Sequence, residues 1–126
     1  MLLDTHVLLW LLDDSPRLGP QARRAISTAS RVHASAISHT ELALKAMLGK
    51  LTVPEDLGPR LADQGLRHLA YTEAHAAALT AFPDLTRHDP FDRMLLAQAT
   101  VEGLRFATAD TRLLSLDLRW VVDARS

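Results

Sequence analysis

MLLDTHVLLWLL, residues 1–12, decides the fold class. Met1 to Leu3 is an apolar, strand-like run that ends on an acid, Asp4, and His6 to Leu12 then reads as a helix. A short strand that delivers the chain directly into a helix is the opening of an α/β unit. The alternation continues outward from there. After the breaks at Ser15, Pro16, Gly19 and Pro20, a helix is expected over about Gln21 to Ala29. Val32 to Ala36 reads as a strand, and Ser38 opens a helix that stops at Gly49, a residue suited to a left-handed cap. Pro54 starts a short helix ending near Gly65, Leu66 to Tyr71 is a strand, and Thr72 caps an alanine-rich helix that ends before Pro83. Asp89-Pro90 starts a helix running to Gly103, with proline at its first position. Leu104 to Thr108 is a strand, a short helix follows Asp110, and Trp120 to Val122 closes as the last strand.

Five strand candidates separated by helices imply a three-layer α/β/α sandwich with a central parallel sheet of about five strands. Right-handed crossovers put the carboxyl ends of all those strands on one edge. With no internal repeat, low-complexity tract or linker, residues 1–126 are expected to form one domain.

Hydrophobic content of 48% and charged content of 23% are ordinary for a globular protein. No cysteine is present, which removes disulfides and thiolate metal sites and suits a reducing compartment. The run Val7 to Leu12 is too short to span a membrane and lacks the flanks of a signal peptide, so a cytoplasmic location is expected. A net charge of −1 does not advertise nucleic acid, although twelve arginines against two lysines suit phosphate contacts as well as GC-rich coding.

Four acids stand at the junctions of this pattern. Asp4 and Asp110 close strands, while Glu41 and Asp92 lie in first turns of helices whose N-termini face the carboxyl edge. Ligands of open α/β sheets bind at that edge. Two carboxylates about 4 Å apart repel by roughly 4 kcal/mol at an effective dielectric of about 20, so such a cluster needs a cation or shared protons. Each acid also has a structural explanation. Ser38-His39-Thr40-Glu41 matches a capping box, Asp89 and Asp92 suit a helix N-terminus, and Asp110 is placed to cap its own helix. Asp4 fits capping least well.

Hard oxygen donors without Cys or paired His suit Mg²⁺, with Mn²⁺ as a substitute. The six histidines form no zinc pattern. His6, His39 and His88 flank the acids, and solvent-facing polar roles are expected for them, with substrate contact the alternative. No G-x-S-x-G, P-loop or dinucleotide fingerprint occurs.

LLDTHVLLWLL at 2–12, AISHTELALKAMLGKL at 36–51, HDPFDRMLLAQA at 88–99 and TAD at 108–110 resemble the PIN-domain family. More closely, they are similar to the VapC-type toxins of bacterial toxin–antitoxin pairs. The resemblance implies a PIN-like sandwich and a magnesium-dependent endoribonuclease that hydrolyses RNA with metal-activated water. It implies that Asp4, Glu41, Asp92 and Asp110 are catalytic and hold the metal. Asp89 matches a further acid, expected to support the site or cap the helix. Thr5 and Thr108 match small polar positions beside the acids. Lys45, Arg93 and His88 are candidates for substrate contact, although an i,i+4 ion pair with Glu41 accounts for Lys45 and solvation for Arg93. Only three residues precede Asp4, fewer than is usual in the family, which implies a short first strand or a true start further upstream.

A cognate antitoxin and a homodimer are the implied partners. Val7 to Leu12 is apolar all round its helix, and Leu42, Leu44, Met47 and Leu48 cover over half of theirs. Either burial on two sides or a protein interface explains such faces. Two rival functions remain: a catalytically silent PIN-like binding module, and a receiver-like phosphoacceptor domain. The receiver would need an aspartate after the third strand, where Ala70-Tyr71-Thr72 stands, and a late lysine.

Overall fold

The structure, a computed structural model, describes residues 1–126. Five strands form one all-parallel sheet: β1 (Leu2–Leu3), β2 (His33–Ser35), β3 (Arg67–Leu69), β4 (Phe106–Thr108) and β5 (Val121–Asp123). Their order is β3-β2-β1-β4-β5. Seven helices accompany them: α1 (Thr5–Leu12), α2 (Pro20–Thr28), α3 (Ala36–Met47), α4 (Leu57–Asp63), α5 (Glu73–Ala77), α6 (Pro90–Glu102) and α7 (Thr111–Leu114). The α/β/α sandwich is therefore as the alternation implied.

Strand alternation sends neighbouring side chains to opposite faces, and each face has its own core. Leu3, Ala34 and Ala107 pack on one side with Val7 and Leu8 of α1, Ala22 of α2 and Leu57 and Leu61 of α4. Leu2 and Phe106 point the other way, onto Leu95, Leu96 and Ala99 of α6 and Leu113 of α7. Helix α3 serves both cores, with Leu42 in the first and Ile37 in the second. Val7 and Leu8 are buried in the first core and Leu9 to Leu12 are partly buried against it, so this one core takes up much of the apolar circumference of α1. No helix is long and apolar enough to cross a membrane.

Several boundaries differ from the sequence reading. Ser35, not Ser38, caps α3: its hydroxyl accepts from the Ile37 N–H at 3.0 Å. Strand β2 thus turns into α3 without a loop, and the S-x-x-E stretch lies inside the helix. Glu41 is not in the first turn and satisfies no backbone amide, which removes the capping explanation for it. Helix α4 starts at Leu57, three residues beyond Pro54, with Pro59 tolerated in its first turn. The alanine-rich helix shortens to α5 and tightens into 3₁₀ turns at Ala78–Ala81 and Pro83–Leu85. Asp89 and Gly103 bracket α6 as expected, with Gly103 left-handed at φ 64°.

The strand order fixes where a site can form. From β1 the chain winds outward through β2 and β3, then returns to place β4 on the other side of β1. The reversal lies between β1 and β4, whose ends carry Asp4 and Asp110.

Candidate metal centre

A cleft of about 340 Å³ opens at this reversal, and Asp4, Glu41, Asp89, Asp92 and Asp110 line it with Lys45. The topology thus brings together acids that span most of the chain. Each is held differently.

Asp4 continues the β1 ladder through its N–H, which donates to the Ala107 carbonyl at 2.9 Å. Asp4 is buried, with 4% of its surface exposed. One carboxylate oxygen accepts the Thr5 N–H at 2.7 Å, and the other accepts the Thr108 hydroxyl at 2.6 Å. Glu41, also 4% exposed, accepts the Thr5 hydroxyl at 2.7 Å and the Lys45 ammonium at 2.6 Å. Thr5 and Thr108 therefore stand behind the acids and fix their rotamers, and Ser38 joins them at 3.0 Å from the Thr5 hydroxyl. Lys45 makes its i,i+4 ion pair and also faces the cleft.

Asp110 serves two purposes. Its Oδ1 caps α7, accepting from the Arg112 and Leu113 N–H groups at 2.8 and 3.2 Å, while its Oδ2 faces the cleft. Asp89 caps α6 through the Phe91 N–H at 2.8 Å and lines the rim. Asp92, in the first turn of α6, points its Oδ2 at His88.

The histidines divide. His88 is not solvent-facing: its Nε2 lies 3.0 Å from Asp92 Oδ2 and 3.3 Å from Asp110 Oδ2, with 13% of the side chain exposed. His6 is exposed at the rim. His39 lies elsewhere, edge-on to His68 with ring centroids 6.1 Å apart. Arg93 does not line the cleft, and its buried Nε has no hydrogen-bond partner. Trp10 does line it, although the sequence counted it only within the apolar run Val7 to Leu12. Its position four residues after His6 on α1 was the available signal.

The electrostatics follow from this crowding. Burial, then the charges of Asp4, Asp89, Asp110 and Glu41, push the Asp92 carboxyl up to about 8. Burial is also the main reason that Asp4 is raised, with Glu41 adding to it and the Thr108 and Thr5 hydrogen bonds opposing it. Burial alone would lower the Lys45 ammonium, but its bond to Glu41 and the nearby Asp89 and Asp92 hold it above the ordinary value. Five carboxylates face one ammonium, so the cleft is short of positive charge. Asp92 Oδ2, Asp110 Oδ2 and His88 Nε2 are close enough to share one ion, since one ligand atom from each residue lies within 4.8 Å of the others. Oxygen donors at this density suit a hard divalent cation.

Comparison with known proteins bears on the family and the fold. A model of the PIN domain matches residues 1–118. The chain is 34% identical over 117 residues to Ribonuclease VapC22 of Mycobacterium tuberculosis (strain ATCC 25618 / H37Rv), covering 91% of this chain and 90% of that protein. Its fold is similar to a toxin–antitoxin complex from Klebsiella pneumoniae, with a TM-score of 0.66, 18% identity, and coverage of 98% of this chain and 96% of that one. It is similar also to VapBC2 from Rickettsia felis bound to a DNA fragment from their promoter, with a TM-score of 0.66, 12% identity, and coverage of 96% and 94%. The match over nearly the whole sequence establishes that the chain belongs to the PIN-domain family, with its likeness on the VapC side.

Proposed function

We propose that this chain is a magnesium-dependent endoribonuclease and the toxin of a toxin–antitoxin pair, acting as one PIN domain in the cytoplasm. The observation that carries the reading is the convergence of five carboxylates on one cleft at the β1/β4 reversal, with a single ammonium among them. The relative named a ribonuclease supports RNA as the substrate.

Asp4, Asp92, Asp110 and Glu41 would hold the ion. When bound, Mg²⁺, or Mn²⁺ in its place, supplies an acidified water and neutralises charge on the phosphodiester. The chain's own residues do the positioning. Thr108 holds Asp4, Thr5 holds Glu41, and the Asp110 cap on α7 leaves its second oxygen turned to the cleft. Lys45 gives the substrate phosphate a cationic neighbour in an otherwise repulsive cleft. A polyanion is repelled there without the ion, so cleavage depends on metal.

An antitoxin and a second copy of the chain are the protein partners in this reading. The structural neighbour that is a toxin–antitoxin complex supports the first. The exposed apolar trio Leu44, Met47 and Leu48, with Met47 82% exposed, offers a surface for either.

Mapping the 5′ ends of cellular RNA after induction tests the function. New ends bearing 5′-phosphate are expected with the native chain and not with Asp4→Asn. Identical end profiles from the two would overturn the proposal.

A further inference from the structure

We infer that His88 is a nitrogen ligand of the ion held in this cleft, and that it tilts the site towards Mn²⁺ over Mg²⁺. The inference rests on the metal-centre reading above and adds a donor that the acidic pattern does not contain.

The placement is specific. His88 ends the turn before α6, where its N–H donates to the Leu85 carbonyl at 2.9 Å. That anchor and the short distance to the Asp89 cap aim the ring back over the first turn of α6. One ring atom, Nε2, faces both carboxylates, at 3.0 Å from Asp92 Oδ2 and 3.3 Å from Asp110 Oδ2. Neither of these two oxygens accepts a backbone N–H: the hydrogen bonds that cap α7 go to Asp110 Oδ1. By contrast, both oxygens of Asp4 and both of Glu41 already accept from protein donors. Two carboxylate oxygens free of backbone bonds and one imidazole nitrogen thus lie within sharing distance of one ion.

A substrate-contact role fits less well. Nε2 is turned into the carboxylate pair, so a phosphate approaching it would meet Asp92 and Asp110 first. A ring carrying its proton on Nδ1 instead presents the Nε2 lone pair to a cation between the two acids.

The donor type sets the preference. Mg²⁺ favours oxygen ligands and retains its waters, whereas imidazole nitrogen suits first-row transition ions. Mn²⁺ accepts carboxylate oxygen and imidazole together, so a mixed donor set favours it relative to an all-oxygen one.

The test uses the full chain, stripped of metal and titrated with Mn²⁺ alone and Mg²⁺ alone by calorimetry. Pulsed electron paramagnetic resonance of the Mn²⁺ form then reads directly bound nitrogen. A ¹⁴N modulation is expected in the native protein. His88→Gln should lose that signal and weaken Mn²⁺ by about tenfold or more. Its loss of Mg²⁺ affinity should be smaller, so the preference for Mn²⁺ falls. Mn²⁺ bound to the native chain without nitrogen coupling would overturn the role of His88 and leave the acidic centre intact. Equal weakening of both ions in His88→Gln would overturn the preference. Failure of the native chain to bind either ion would overturn the centre itself, and this inference with it. The native-chain spectrum does not depend on whether the variant folds.

Discussion

Asp110 divides its two oxygens between a helix cap and the cleft, and Asp89 combines a cap with a place on the rim. Capping and site membership are therefore not competing explanations for an acid at a helix start. Asp89→Ala removes the cap and should lower stability by about 1 kcal/mol, whereas Asp89→Asn keeps an acceptor and should cost a few tenths at most. Denaturant melts of the two variants distinguish them. Asp92 makes a different claim, on pH. Its folded value of about 8 lies well above an unfolded aspartate near 4, so the folded state holds a proton that the unfolded chain releases. Stability from this group is fully present below about pH 4 and is lost progressively as pH rises towards about 8. Thermal melts of the metal-free protein should fall across that window. Asp92→Asn should flatten the fall, and Mg²⁺ should reverse it at the alkaline end. A metal-free melting temperature that rises from pH 5 to 8 would contradict the crowding described above.

At the level of elements, α6 shows what was legible and what was not. Its ends were readable because Asp89-Pro90 and Gly103 are local signals. Its buried polar chain was not. Gln98 accepts the Ser35 hydroxyl at 2.5 Å and donates to the Ala70 carbonyl at 3.2 Å. His75, buried on α5, accepts the Thr72 N–H at 3.0 Å and meets Glu102 at 3.1 Å on its other nitrogen. These partners come from separate elements, and only tertiary packing brings them together. Gln98→Leu should destabilise by roughly 1–3 kcal/mol, because Ser35 and Ala70 lose buried partners. The misplaced start of α3 has the same origin. Ser38 made a plausible cap on spacing, but β2 ends on Ser35, and its hydroxyl takes the cap position first. His88 was read as flanking the acids and as a candidate substrate contact, but not as lying between two of them, for a related reason. Its nearest acid in space after Asp92 is Asp110, which belongs to another element.

Across the whole molecule, the sheet order does most to create the site. The alternation of strands and helices was enough to place the acids on one edge, because parallel strands share their carboxyl ends. It did not reveal that β1 and β4 are adjacent, and that adjacency seats Asp4 beside Thr108 and near Asp110. The surface carries a separate expectation. If Leu44, Met47 and Leu48 cover a protein interface, the native chain should sediment as a dimer at micromolar concentration, and serine at all three positions should shift it towards monomer. Monomer alone across that range would contradict a homodimer. The central claim, that the carboxylate cleft cuts RNA only with a divalent ion, is tested most directly by one cleavage assay. Purified chain is incubated with single-stranded RNA in chelator, Mg²⁺ is then restored, and Asp4→Asn is run beside it. Cleavage should be absent in chelator and return with Mg²⁺, and it should be lower by roughly 10³-fold in the folded variant. Cleavage that persists in chelator, or that survives undiminished in Asp4→Asn, would contradict it.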